Sequence, residues 1–535
     1  MAFDLPRFAR LAFGQERLPD HPLRSKEDAT AGITELASEP AESALAQITY
    51  YVKSMNDTHS FSPGRRAVVL LQLHEAARPR WRALAARYLK YRGVPAEHRE
   101  GDPNILRALY DSASEFATGF GLSVEEGMSG SKWVRQNLAP LCARKAHWLG
   151  KRLVLAHMLR LPVTPAVWQA LHSLYRFAEE HDAGRQPAAL YEKSRFPSSV
   201  RQELARAALL ELAGPQSLGT RDIELAYRIA GRVARMVRLE REPGAGRHAL
   251  PPGGEAPLYL DTQNGVAGLE AERPDPVDAT AGDPAYRGEF TARERAAMIE
   301  HLLLHWGATP PRRRGKRISL SAAAEVLYTF DAIARALPAA EQAAPGAAGS
   351  MLSILDQTGK LQRMAKTRPA AAFPARVTDA STGGLGLVVQ GSPAWLRHGA
   401  LVAVRLEGGP EWTLATVRRI FAPAEKERRV GLQILSAHPR RFSFEGSDLN
   451  AVWEEAARQE VRSSETSRHG ILLQPEGFAR PRGEILLPAG AASRNKRLEV
   501  RSRGAVRRIQ LTRLDDEGAQ YDRARYELLP ANVAA

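Results

Sequence analysis

The segment Asp379-Ala380-Ser381-Thr382-Gly383-Gly384 lies between stretches that alternate like β-strands. Asp379 can accept hydrogen bonds from a base edge or a ribose, and Ser381 can donate or accept them. Gly383 and Gly384 let a backbone approach a ligand closely or adopt positive φ. The plainer reading is a β-turn between two strands. Other patterns offer less chemistry. Gly127-Met128-Ser129-Gly130-Ser131-Lys132 lacks the spacer a phosphate loop needs. As a nucleophile elbow it has Ser131 where glycine is required, and its Ser-x-x-Lys has no companion motifs. His301 and His305 share a helix face, but no third metal ligand accompanies them. Cys142 reads as a small buried apolar residue. No nucleophile–base pair and no cofactor motif emerges, so the chain reads as a non-enzyme.

Elements that position these residues follow from periodicity. Residues 1–240 read as helical, a bundle or a set of helix pairs. Ser62-Pro63 precedes a periodic stretch that Pro79 should kink or split. Asp102-Pro103, Thr164-Pro165, Pro197-Ser198 and Thr220 open further helices. Gly93, Gly121, Gly184 and Gly214 should stop helices. Residues 241–290 are dense in Pro and Gly and read as a linker with one short strand at Leu258–Leu260. Residues 291–337 read as a helix from Thr291 through Trp306, then the basic cluster Arg312-Arg313-Arg314-Gly315-Lys316-Arg317, then a strand running into a helix over Ile318 to Leu337 that leads into the barrel. Residues 338–372 are an Ala/Pro/Gly-containing spacer or insertion.

From 373 to 440 the period becomes two, with glycine turns, as in a small antiparallel barrel. A connecting helix is expected within 441–465, and 466–535 reads as a second, small β unit. The fold class is therefore multidomain α+β.

Composition is consistent with this. The chain has 535 residues, 44% hydrophobic and 25% charged, ordinary for a globular protein. One cysteine excludes an intrachain disulfide framework and suits a reducing cytoplasm. No segment approaches the ~18 uninterrupted apolar residues of a membrane span. The N-terminus has no secretory pattern and reads as a segment docking on the body. The net charge of +15 favours an anionic partner, although most of the excess is arginine spread through the chain. In the tail, Arg494, Lys496, Arg497, Arg501, Arg503, Arg507, Arg508 and Arg513 accompany a single acid, Glu499. Without aromatics for base stacking, that stripe reads as a solvated sheet face rather than a nucleic-acid surface.

The run RVTDASTGGLGLVV, then Leu396-Arg397-His398-Gly399, LVAVRL, Trp412 to Arg419 and Val430-Gly431-Leu432-Gln433-Ile434 resembles a PilZ domain. The resemblance implies a six-stranded β-barrel that binds the bacterial second messenger cyclic di-GMP. It also implies two ligand motifs. The turn matches the second as Asp379, Ser381 and Gly384, and Arg313 and Arg317 match the first, Arg-x-x-x-Arg. Guanidinium groups suit that ligand because they fork onto phosphate and stack on a guanine face. Arg317 and Asp379 are 62 positions apart, wider than the family pattern. Either an insertion follows a first strand within Ile318–Val326, or Arg363 and Arg368, spaced one residue too far, take the role. The implied function is a cytoplasmic effector that binds cyclic di-GMP and signals through helical-region contacts with a protein partner. Motility, adhesion or polysaccharide production are the outputs the resemblance implies. The alternative is a scaffold whose barrel is degenerate and which binds protein or nucleic acid.

Overall fold

The computed structural model describes residues 21–89, 103–254, 256–273, 286, 288–311, 317–340, 372–391, 393, 395–407, 409–424, 426–446, 468–474, 478, 480–502, 505–517 and 520–530. The chain forms two compact units, one from the described residues up to 311 and one from 317 onward.

The first unit is helical: α1 (Lys26–Glu35), α2 (Ala41–Asn56), α3 (Pro63–Leu89), α4 (Pro103–Gly130), α5 (Lys132–Gln136), α6 (Leu138–Met158), α7 (Pro165–Glu180), α8 (Val200–Leu212) and α9 (Thr220–Val233). Most of α6 is buried, with Leu141, Cys142, Trp148 and Leu153 in one continuous core. Burial in that core pushes the Cys142 thiol up to about 12, so it packs as an apolar group.

Two expectations are corrected here. The helix α3 is not split at Pro79 but continues from Pro63 to Leu89. Proline removes one donor, and the buried Ala76, Ala77 and Leu84 hold the helix on the core across that gap. Gly121 does not end a helix but lies inside α4. A Cβ there would stand 3.0 Å from Lys145 Nζ, so the glycine leaves room for the end of that side chain. Gly214 does follow the end of α8, in the left-handed conformation at φ 66°.

Local chemistry sets the helix starts. Ser131, which stands where a nucleophile elbow would need glycine, caps α5 by accepting from Val134 N–H. Ser199 caps α8 by accepting from Gln202 N–H at 3.3 Å. Ser199→Ala is expected to cost about 1 kcal/mol, read as a lower urea midpoint with an unchanged slope.

Residues 238–271 are structured rather than a plain linker. Strands β1 (Arg238–Glu240), β2 (Arg247–Ala249) and β3 (Tyr259–Asp261) form a sheet in the order β1-β3-β2, followed by α10 (Gln263–Ala271). Then α11 (Ala292–Trp306) opens on a reciprocal cap between Thr291 and Glu294. It anchors through Trp306, which is fully buried and donates from Nε1 to the Leu209 carbonyl at 2.9 Å.

The second unit holds two closed six-stranded antiparallel barrels. The first consists of β4 (Ile318–Leu327), β5 (Phe373–Ser381), β6 (Gly384–Gln390), β7 (Leu401–Leu406), β8 (Thr413–Ala424) and β9 (Glu427–Ser436), in the order β4-β5-β6-β9-β8-β7. The second consists of β10 (Arg440–Gly446), β11 (Arg468–Leu472), β12 (Arg482–Pro488), β13 (Arg497–Ser502), β14 (Ala505–Glu517) and β15 (Tyr521–Leu528), in the order β10-β11-β12-β15-β14-β13. Residues 440–446 are thus strand, while the helix expected around 450–461 falls outside the described residues.

A short helix, α12 (Phe330–Ala336), packs with Leu401 and Trp412 of one barrel and Ile471, Leu486 and Tyr521 of the other. Gln520 Oε1 accepts from Leu401 N–H at 3.0 Å, and Ser436 Oγ donates to the Leu473 carbonyl at 2.6 Å. The barrels therefore share a core and polar ties.

Candidate functional site

Side-chain alternation gives the first barrel an apolar interior and a usable exterior. In β6, Leu385, Leu387 and Val389 point into the core, which leaves Gly386 and Val388 outside. In β5, Val377 and Ala380 are both interior, an odd–even switch made by a register shift between Val377 and Asp379. The shift turns Thr378 and Asp379 out together. A second shift between Val417 and Arg419 does the same for β8.

Strand register then aligns two rows across the outer face. Asp379 pairs with Gly386, Gly386 with Gly431, and Gly431 with Arg419. Beside it, Arg376 pairs with Val388, Val388 with Arg429, and Arg429 with Phe421. The first row has two glycines at its centre and charges at its ends. The result is a groove of about 490 Å³, lined among others by Arg317, Arg376, Asp379, Arg419, Phe421 and Arg429. A Cβ on Gly386 would stand 2.2 Å from Asp379 Oδ2, so the absence of a side chain is what makes room for the carboxylate.

Arg317 reaches this groove because β4 pairs antiparallel with β5, placing Ser319 opposite Asp379. Its Nη1 stands 2.5 Å from Asp379 Oδ1. Among the described residues that oxygen makes no aligned hydrogen bond, so the contact is ionic and leaves the carboxylate able to take a directed donor. Four guanidiniums (Arg317, Arg376, Arg419, Arg429) and two carboxylates (Asp379, Glu427) line the groove, which is net cationic. Glu427 stands 3.6 Å from Arg429, whose side chain remains 65% exposed. Phe421 is 40% exposed and offers a ring face.

The candidates named from sequence are distributed as follows. Arg317 and Asp379 come together. Ser381 and Gly384 pair at the end of the β5–β6 hairpin, where Ser381 Oγ donates to the Gly384 carbonyl at 3.3 Å. They do not line the groove itself. Arg313 lies outside the described residues, as do Arg363 and Arg368. Sequence reading missed Arg376, Arg419, Arg429 and Phe421. Their only signal was period-two alternation on strands whose pairing partners were not yet known.

His301 and His305 stack at 4.3 Å and hydrogen-bond to the Ala213 and Leu212 carbonyls, so they finish the end of α8. Among the described residues, no group of three or more His, Cys, Asp or Glu is arranged to hold a metal. Among them also, no helix is long and apolar enough to cross a membrane.

Residues 27–244 match the family model described as the N-terminal domain of the cyclic-di-GMP receptor FimW. The matched stretch takes in the helices α1–α9, less than half of the chain. No curated protein matches the chain.

Proposed function

We propose that this protein is a cyclic di-GMP receptor whose ligand docks in the outer groove of the first barrel, acting as a PilZ-like domain. The observation that carries the reading is the Arg317–Asp379 contact at 2.5 Å. It joins the end of the arginine motif to the start of the turn motif despite the 62 positions between them. The match of the helical region to a cyclic di-GMP receptor domain supports the same ligand from a separate stretch of chain.

The ligand satisfies the groove by exchanging partners. Arg317, with Arg313 ahead of it, forks onto a phosphate and presents a flat cation to a guanine face. Asp379, released from Arg317, accepts from the N–H edge of guanine. Ser381 adds a hydroxyl at the rim. Phe421, exposed beside the groove, offers its ring face to a base. Capture of the arginines changes the surface offered to a partner, and that change is the signal, provided the two states differ in affinity for the ligand. The helical unit then engages a protein partner in the cytoplasm.

Ultraviolet cross-linking of a photoreactive cyclic di-GMP analogue to the full chain, followed by peptide mapping, tests the location. Labelling is expected on peptides from 373–436 and on the peptide carrying Arg317. Labelling confined to 27–244 would overturn the barrel site. Gly386→Ala gives a local check. Its Cβ displaces the Asp379 carboxylate, so affinity is expected to fall about tenfold. Because the displaced group is a side chain, stability should move by no more than about 1 kcal/mol.

A further inference from the structure

The helical unit has a cavity of its own, of about 540 Å³. That lies inside the ~300–1,000 Å³ range of small-molecule sites. Part of its wall is apolar: Trp81 from α3, Leu106 and Leu109 from α4, Leu155 and Met158 from α6. Charged side chains line it too, Arg78, Arg82, Lys151, Arg206 and Arg228 with Glu224 and Glu289, and several of them are committed. Arg228 is held by Glu224 at 2.8 Å and by Glu289. Arg206 donates to the Tyr227 carbonyl at 3.1 Å and lies flat on the Tyr227 ring.

Lys151 is different. Its ammonium stands 4.8 Å from the centre of the Tyr227 ring and 5.8 Å from that of Trp81. Among the described residues it makes no hydrogen bond or ion pair. Burial lowers its pKa to about 8, with Glu224 and Glu203 favouring the cation and Arg206 and Arg228 opposing it. With Glu224 and Glu203 near it but no direct acceptor on it, the ammonium lines a cavity wide enough to receive one.

We propose that this cavity binds an amphipathic carboxylic acid, its carboxylate on Lys151 and its hydrocarbon body against Trp81, Leu106, Leu109, Leu155 and Met158. A polyphosphate would need several uncommitted donors, whereas Arg78, Arg82, Arg206 and Arg228 already have partners. A neutral apolar ligand would leave the ammonium unpaired.

Octanoate is the probe, titrated by calorimetry into the full chain beside its uncharged counterpart, octanamide. One saturable octanoate site is expected, at least about tenfold tighter than octanamide. Lys151→Met should abolish the preference while preserving the circular dichroism spectrum, and Lys151→Arg should retain it. Absence of saturable octanoate binding, equal affinity for the two probes, or an unchanged preference in Lys151→Met would each overturn the proposal. Should Lys151→Met fail to fold, the octanoate-to-octanamide ratio on the native chain still decides.

Discussion

Arg317→Ala is expected to weaken cyclic di-GMP binding by about 10- to 100-fold, the loss of one charge-assisted contact worth about 1.5–3 kcal/mol. The effect has two sources. The guanidinium no longer reaches the phosphate, and Asp379 is left as an unbalanced negative charge near it. Arg317→Lys should recover only part of the affinity, because an ammonium neither forks nor stacks. Asp379→Asn should cost less than Arg317→Ala, since it removes an acceptor charge without stranding an arginine. Equal affinity in wild type and Arg317→Ala, measured at one salt concentration, would remove Arg317 from the site. The groove is cationic, so wild-type affinity should also fall as salt rises, less steeply in Arg317→Ala.

The second large effect is on stability and lies in the helical unit. Glu203 is buried on α8 and ties three elements together. It accepts from Ser198 Oγ at 2.7 Å, meets His147 Nδ1 of α6 at 3.2 Å, and stands 3.9 Å from Arg206. Burial alone would raise its pKa. His147, Arg206 and Ser198 outweigh burial and hold it at about 2, against an ordinary 4.5. A folded value below the unfolded one means the stabilisation is complete above about pH 4.5 and lost as pH falls towards 2.

Glu203→Ala leaves His147 Nδ1 and Ser198 Oγ without their buried acceptor and removes the carboxylate beside Arg206, at a cost of about 3 kcal/mol. The thermal midpoint of the helical transition should fall by on the order of 10 °C. Glu203→Gln keeps a hydrogen-bond acceptor but not the charge, so it should cost less and flatten the acid dependence. A midpoint within 1 °C of wild type in Glu203→Ala, on the order of the change from a neutral surface substitution, would contradict this account of the core.

The first barrel is legible in the sequence because period-two alternation from Arg376 to Leu435 is dense and its turns carry glycine. Less legible is the strand that closes it. Ile318–Leu327 carries alanines and serines and is separated from its neighbour Phe373–Ser381 by a long stretch of chain. No local rule says that such a segment crosses back to pair, and only the antiparallel register with β5 brings Arg317 to Asp379. The groove was invisible for a related reason. Arg376, Arg419, Arg429 and Phe421 belong to three strands, and their convergence depends on two register shifts that reverse which side chains face out.

Ser381 and Gly384 fit a motif by spacing, yet they end the hairpin at the rim of the groove rather than in it. Pro79 misled because the local cost of proline was weighed without the tertiary packing that offsets it. In the helical region periodicity marked many of the helices, but amphipathic faces look alike whatever they serve. Its cavity required knowing which helices share a wall with Lys151.

The most direct test of the central claim is a calorimetric titration of this 535-residue chain with cyclic di-GMP at about 0.15 M salt. The account predicts saturable binding with a dissociation constant of about 1 μM or tighter, and GMP failing to compete at similar concentration. No saturable heat up to about 1 mM ligand would contradict it and leave the Arg317–Asp379 groove as part of a scaffold.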